Sequence, residues 1–171
     1  MNTQIPFNND SISKLCKDLE LFDEKNCAID AELSQSVYFF LSKLPPVLAE
    51  KFIQEAKIVV VSGQCLTSFK IDLLKKKKYL IILGNLNDLN KEAIIGLIAH
   101  LFALVDVGYL KMTKLRGVEW LKVDLHSDEV AKDWGFKTEV EELRKRRPQK
   151  MNCTPKSGHE SVCFFCGQNT I

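Results

Sequence analysis

The hydrophobic pattern of the chain is dominated by one stretch, EAIIGLIAHLFALVDVGYL, residues 92–110. From Ala93 to Val105 it is apolar except for His100, and it ends at Asp106. A bilayer-spanning helix needs roughly 20 apolar residues, whereas about 10–14 mark a core helix. The run therefore predicts a central helix, apolar on most faces and buried inside a protein, with no membrane span.

The flanking patterns predict shorter elements. NDSISKLCKDLELFD places Ile12, Leu15, Leu19 and Phe22 at helical spacing behind capping candidates Asn9, Asp10 and Ser11. AIDAELSQSVYFFLSKL reads as a second helix with Leu33, Val37, Phe40 and Leu44 on one stripe, Asp30 as a candidate cap, and Pro45 and Pro46 as its stop. Pro46 also suits the first turn of a third helix, PVLAEKFIQEA. KIVVVS and YLIILG are β-branched or apolar strands, with SFKIDLL as a weaker strand between them. The four lysines before Tyr79 read as an exposed turn, since no aromatics interleave with them as they would in a nucleic-acid patch. Beyond the central helix, VDLHSDEVAKDWGF is a helix ended by Gly135, and KTEVEELRKRRP is a charged helix stopped by Pro148. Its pairs Glu141–Lys145 and Glu142–Arg146 have the favourable i,i+4 order, so RKRR reads as mostly a solvated helix end. Helices, then clustered strands, then helices predict an α+β fold with N-terminal helices, a small central sheet and a central buried helix.

Composition narrows the class. The chain has 171 residues, 46% hydrophobic and 27% charged, with a net charge of +2, so it is an ordinary globular chain and not a wholesale electrostatic binder of nucleic acid. The start, MNTQIPFNND, carries neither a basic segment nor an apolar one of the secretory kind, which predicts a cytoplasmic, reducing location. The six cysteines then read as free thiols or metal ligands. Cys65, in SGQC, lacks the helix start and flanking histidine of an activated thiol and reads as a plain cysteine. Trp120 and Trp134 read as core or half-buried aromatics.

His100 raises the question of chemistry. On a helix, Gly96, His100 and Leu104 fall four residues apart on one stripe, and glycine lets another element approach closely. Two histidines at i and i+4, with a glutamate after the first, hold zinc and activate its water. Here the string is His100-Leu101-Phe102-Ala103-Leu104.

With KLPP, KIVVVS, YLIILG and EAIIGLIAHLFAL in order, followed by DLHSDEVAKDWGF, the segment from about Leu44 to Phe136 resembles the minimal zinc metallopeptidase-like, or zincin, domain. The resemblance covers roughly half the chain, and from Gln149 onward the chain turns polar and cysteine-rich; together these predict a domain over 44–148, preceded by a helical extension over 1–43 and followed by a tail over 149–171. It also implies that His100 holds the first zinc-ligand position, Leu101 the general-base position, Leu104 the second ligand position and Asp124 the third. Leucine has neither a lone pair for zinc nor a proton acceptor, so the degenerate site is expected to hold no metal and to contain no catalytic residue. His100 is then a neutral core histidine with polar partners, Asp124 among the candidates, and the leucines fill the former metal cavity. A competing reading keeps an enzyme: a metal hydrolase with the displaced set His100, Asp124 and His126. Against it, residues two apart on a helix point about 200° from each other.

The tail carries Cys153, His159, Cys163 and Cys166, and CFFCG has the form of a zinc knuckle. Four such ligands can close a structural tetrahedral site; an unstructured tail with incidental cysteines is the alternative. The leading expectation is a catalytically inactive zincin-like module that binds a protein or extended peptide. A second alternative is a small regulatory protein that binds nucleic acid through RKRRPQK.

Overall fold

The computed structural model describes residues 22–23, 31–61, 67–70, 78–84, 86, 88–108 and 118–146. In chain order these form β1 (Phe22–Asp23), α1 (Ala31–Lys43), α2 (Pro46–Glu55), β2 (Ala56–Val61), β3 (Thr67–Lys70), β4 (Tyr79–Gly84), α3 (Lys91–Asp106), α4 (Val118–Ala131), a wide helical turn (Lys132–Phe136) and α5 (Lys137–Arg146). The class is α+β.

The strands form one sheet in the order β1-β2-β4-β3. β2 and β4 run parallel, from Ala56 opposite Tyr79 to Val61 opposite Gly84. β3 is antiparallel to β4, with Ser68 opposite Ile81, and forms one end of the sheet. At the other end Phe22 lies parallel to Val59. This corrects the expected N-terminal helix at its last two residues: Phe22 and Asp23 are extended, because pairing with β2 outweighs local helical spacing. Asn9 to Leu21 lie outside the described residues. Period-2 alternation sets the buried face, with Ala56, Ile58, Ile81 and Leu83 at 0–1% exposure and Lys57, Val59 and Ile82 half-buried between them. Of the four lysines, Lys78 is described; it is exposed and ion-pairs with Glu55.

Helix α3 runs through the core, and every residue from Ala93 to Val105 is buried. Asn90 caps it, its side chain accepting from the Ala93 N–H at 3.0 Å. Phe40 of α1, Phe52 of α2 and Phe102 of α3 pack together, with ring centroids 5.0 Å (Phe40–Phe102) and 4.6 Å (Phe52–Phe102) apart. Phe136 joins at 5.1 Å from Phe40, and Trp134 at 5.8 Å from Phe52. Leu33, Val37 and Phe40 of α1, with Leu44 just past its end, belong to this same core. Residues 31–43 are therefore part of the body and not a separate extension, because their apolar face is covered by α3. The chain leaves α4 through Gly135, whose φ of 95° is open to glycine and strained for other residues.

Candidate functional site

The site is assembled from α3, α4 and α5. Helix α5 crosses α3 at Gly96, where a Cβ would sit 2.2 Å from the Glu139 carbonyl oxygen. Only a glycine admits this approach, and it brings the last turn of α5 toward His100, one turn along α3. Helix α4 presents Asp124 and Asp128, four residues apart and therefore on one face.

His100 is 0% exposed and lies between the two carboxylates. Its Nδ1 is 2.8 Å from Asp128 Oδ1, and its Nε2 is 3.1 Å from Asp124 Oδ1. The first contact is a hydrogen bond and the second an ion-pair contact. Arg144 of α5 closes the cluster. Its Nε and Nη2 donate to Asp128 Oδ2 and Oδ1 at 2.7 and 2.8 Å, and Nη2 also donates to Asp124 Oδ2 at 3.1 Å. The paired fork on Asp128 is the geometry that suits guanidinium and carboxylate best. Nη2 is 3.4 Å from His100 Nδ1.

Electrostatics follow from this arrangement. Burial alone disfavours a charged ring at His100, but the hydrogen bonds and charges of Asp124 and Asp128 outweigh it and Arg144, raising its pKa above 6.5. The same exchange lowers Asp124 and Asp128 below the usual carboxylate range: burial opposes ionisation, and His100 and Arg144 overcome it. The two carboxylates beside the ring favour its charged form, against the expectation of a neutral histidine.

Of the residues singled out in the sequence, the structure brings together His100 and Asp124. Leu101 and Leu104 are both 0% exposed within the core. His126 is on the exposed side of α4, so the displaced set His100, Asp124 and His126 does not assemble. Cys153, His159, Cys163 and Cys166 lie outside the described residues. Asp128 and Arg144 were missed as site residues. Asp128 carries a readable signal, its i+4 spacing from Asp124. Arg144 does not, since it stands within a basic run; RKRR is not uniformly solvated, because Arg144 turns inward with 17% side-chain exposure. Arg146 pairs with Glu142 at 3.0 Å as expected, while Lys145 also pairs with Glu142, at 3.3 Å, and not with Glu141.

The zinc implied by the resemblance does not fit these residues. Both ring nitrogens of His100 face carboxylates, and the i+1 and i+4 positions are leucines, which offer a metal no ligand. Among the described residues, no group of three or more His, Cys, Asp or Glu side chains is arranged to hold a metal ion. Among the same residues, no helix is long and apolar enough to cross a membrane. Searches of family models, curated proteins and solved structures find no match to the chain.

Proposed function

We propose that the protein is a zincin-like module without peptidase activity that binds an extended peptide by strand addition. One observation carries the reading: among the described residues β3, antiparallel to β4, ends the sheet and packs beside α3, the helix that bears His100. A sheet-end strand offers a row of backbone donors and acceptors to an incoming strand, and such pairing needs no catalytic group. The ion cluster supports the loss of catalysis, because Leu101 stands in the general-base position and the His100 ring is engaged by two carboxylates. The tail would add a structural zinc site of Cys153, His159, Cys163 and Cys166. Nucleic-acid binding through RKRRPQK is disfavoured, since Arg144 and Arg146 already serve carboxylates of the fold.

Two experiments test this. Selection from a random peptide library on the immobilised full chain, followed by N-methylation of alternate backbone positions of a selected peptide, reads strand addition directly. Methylation at every second position should abolish binding and the intervening positions should tolerate it; equal tolerance throughout would sink the strand-addition reading. The zincin relation is tested by Leu101→Glu with Leu104→His in a Cys163→Ser/Cys166→Ser background. Zinc uptake beyond the parent is expected, and its absence would count against the relation.

A further inference from the structure

The misfit between the residues and zinc has a positive content. Arg144 Nη2 is surrounded by Asp128 Oδ1 at 2.8 Å, Asp124 Oδ2 at 3.1 Å and His100 Nδ1 at 3.4 Å. One cationic nitrogen on α5 thus gathers two carboxylates from α4 and an imidazole from α3. We infer that Arg144 is a tethered cation standing where a metal ion would otherwise cross-link these helices, and that removing its guanidinium turns His100, Asp124 and Asp128 into a divalent-cation site.

Charge and donor chemistry support this. With Arg144 in place, two carboxylates face its guanidinium and the His100 ring. Without the guanidinium the cluster loses one positive charge, and the place of Nη2 is faced by Asp128 Oδ1, Asp124 Oδ2 and His100 Nδ1. A divalent ion there would restore positive charge beside the two carboxylates. Two oxygens and one nitrogen suit manganese better than zinc, which favours imidazole and thiolate. Metal–oxygen bonds to an ion of this size are about 2.1 Å, so the donors must close in by roughly an ångström, within reach of two Asp side chains on one helix face. Water entering the space left by the side chain supplies the remaining ligands. This inference does not depend on peptide binding.

The test uses the full chain and Mn2+ alone, read by loss of the free-ion electron paramagnetic resonance signal and by melting temperature. The tail thiolates are poor manganese ligands, so they need not be removed. R144A should take up about one Mn2+ per chain beyond the wild type and melt higher when it is present. R144K, which keeps a cation, and R144A/D128N, which loses a ligand, should take up no more than the wild type. Should R144A be unfolded in metal-free buffer, millimolar Mn2+ must restore its circular dichroism. A folded R144A with no added uptake, an unfolded R144A that Mn2+ does not restore, or equal uptake by R144A/D128N would each overturn the inference.

Discussion

Gly96→Ala tests the helix crossing on which the site depends. In an exposed helix the change stabilises by about 0.5–1 kcal/mol, because glycine loses more backbone freedom on folding. Here the added Cβ meets the Glu139 carbonyl oxygen at 2.2 Å, its carbon at 2.5 Å and the Val140 nitrogen at 3.0 Å. All three are backbone atoms, so no rotamer change relieves the contact. Ordinary contact begins at 3.4 Å, and 3.4 − 2.2 gives a required displacement of 1.2 Å between α3 and α5. Overpacking a core costs about 1–3 kcal/mol and occasionally more. With rigid partners the upper part of that range applies, and the net effect is a loss of about 2 kcal/mol. Arg144 lies one turn beyond Val140, so the same displacement strains its fork on Asp128. Urea unfolding followed by circular dichroism reads the stability, and the melting temperature should fall by about 4–8 °C. A melting temperature equal to or above the wild type would refute the close crossing.

Four further outcomes are expected. Asp128→Asn should cost about 3 kcal/mol in urea unfolding, because it leaves Arg144 and His100 short of a buried counter-charge; Asp124→Asn, whose contacts to Arg144 and His100 are both longer, at 3.1 Å, and which has no paired fork, should cost less. The raised pKa of His100 contributes stability that is fully present below 6.5 and lost as pH climbs through the folded value, whereas the lowered pKa values of Asp124 and Asp128 contribute stability present above 3.8 and lost as pH falls through theirs. Unfolding free energy measured against pH should therefore fall on both sides of a plateau, and His100→Gln should lower the plateau and remove the His100 part of the alkaline loss; an unchanged alkaline limb would contradict the charged ring. Lys51→Ala, which breaks an exposed 2.8 Å pair with Asp106, should change stability by less than about 1 kcal/mol by the same assay. Elemental analysis should find zinc in the full chain and none in Cys163→Ser/Cys166→Ser; equal metal in both would remove the tail site.

Local pattern was enough for most of the elements. Ala93 to Val105 read as a core helix because period 3.6 and continuous apolarity leave no other stable placement. Pro45 and Pro46 separated α1 from α2, Gly135 set the break before α5, and β2 and β4 declared themselves by β-branched and apolar runs, all through constraints that act within a few residues. The pairing of His100 with Asp124 was also within reach, by resemblance. Long-range choices were not. Phe22 became a strand because β2 offered it a backbone partner, and β3 became a sheet end because β4 lies between it and β2. Asp128 and Arg144 entered the site for a similar reason. A charged side chain at a helix end has the same local sequence whether it faces water or a buried carboxylate. Only the close crossing at Gly96 decided that Arg144 faces inward, onto Asp124 and Asp128.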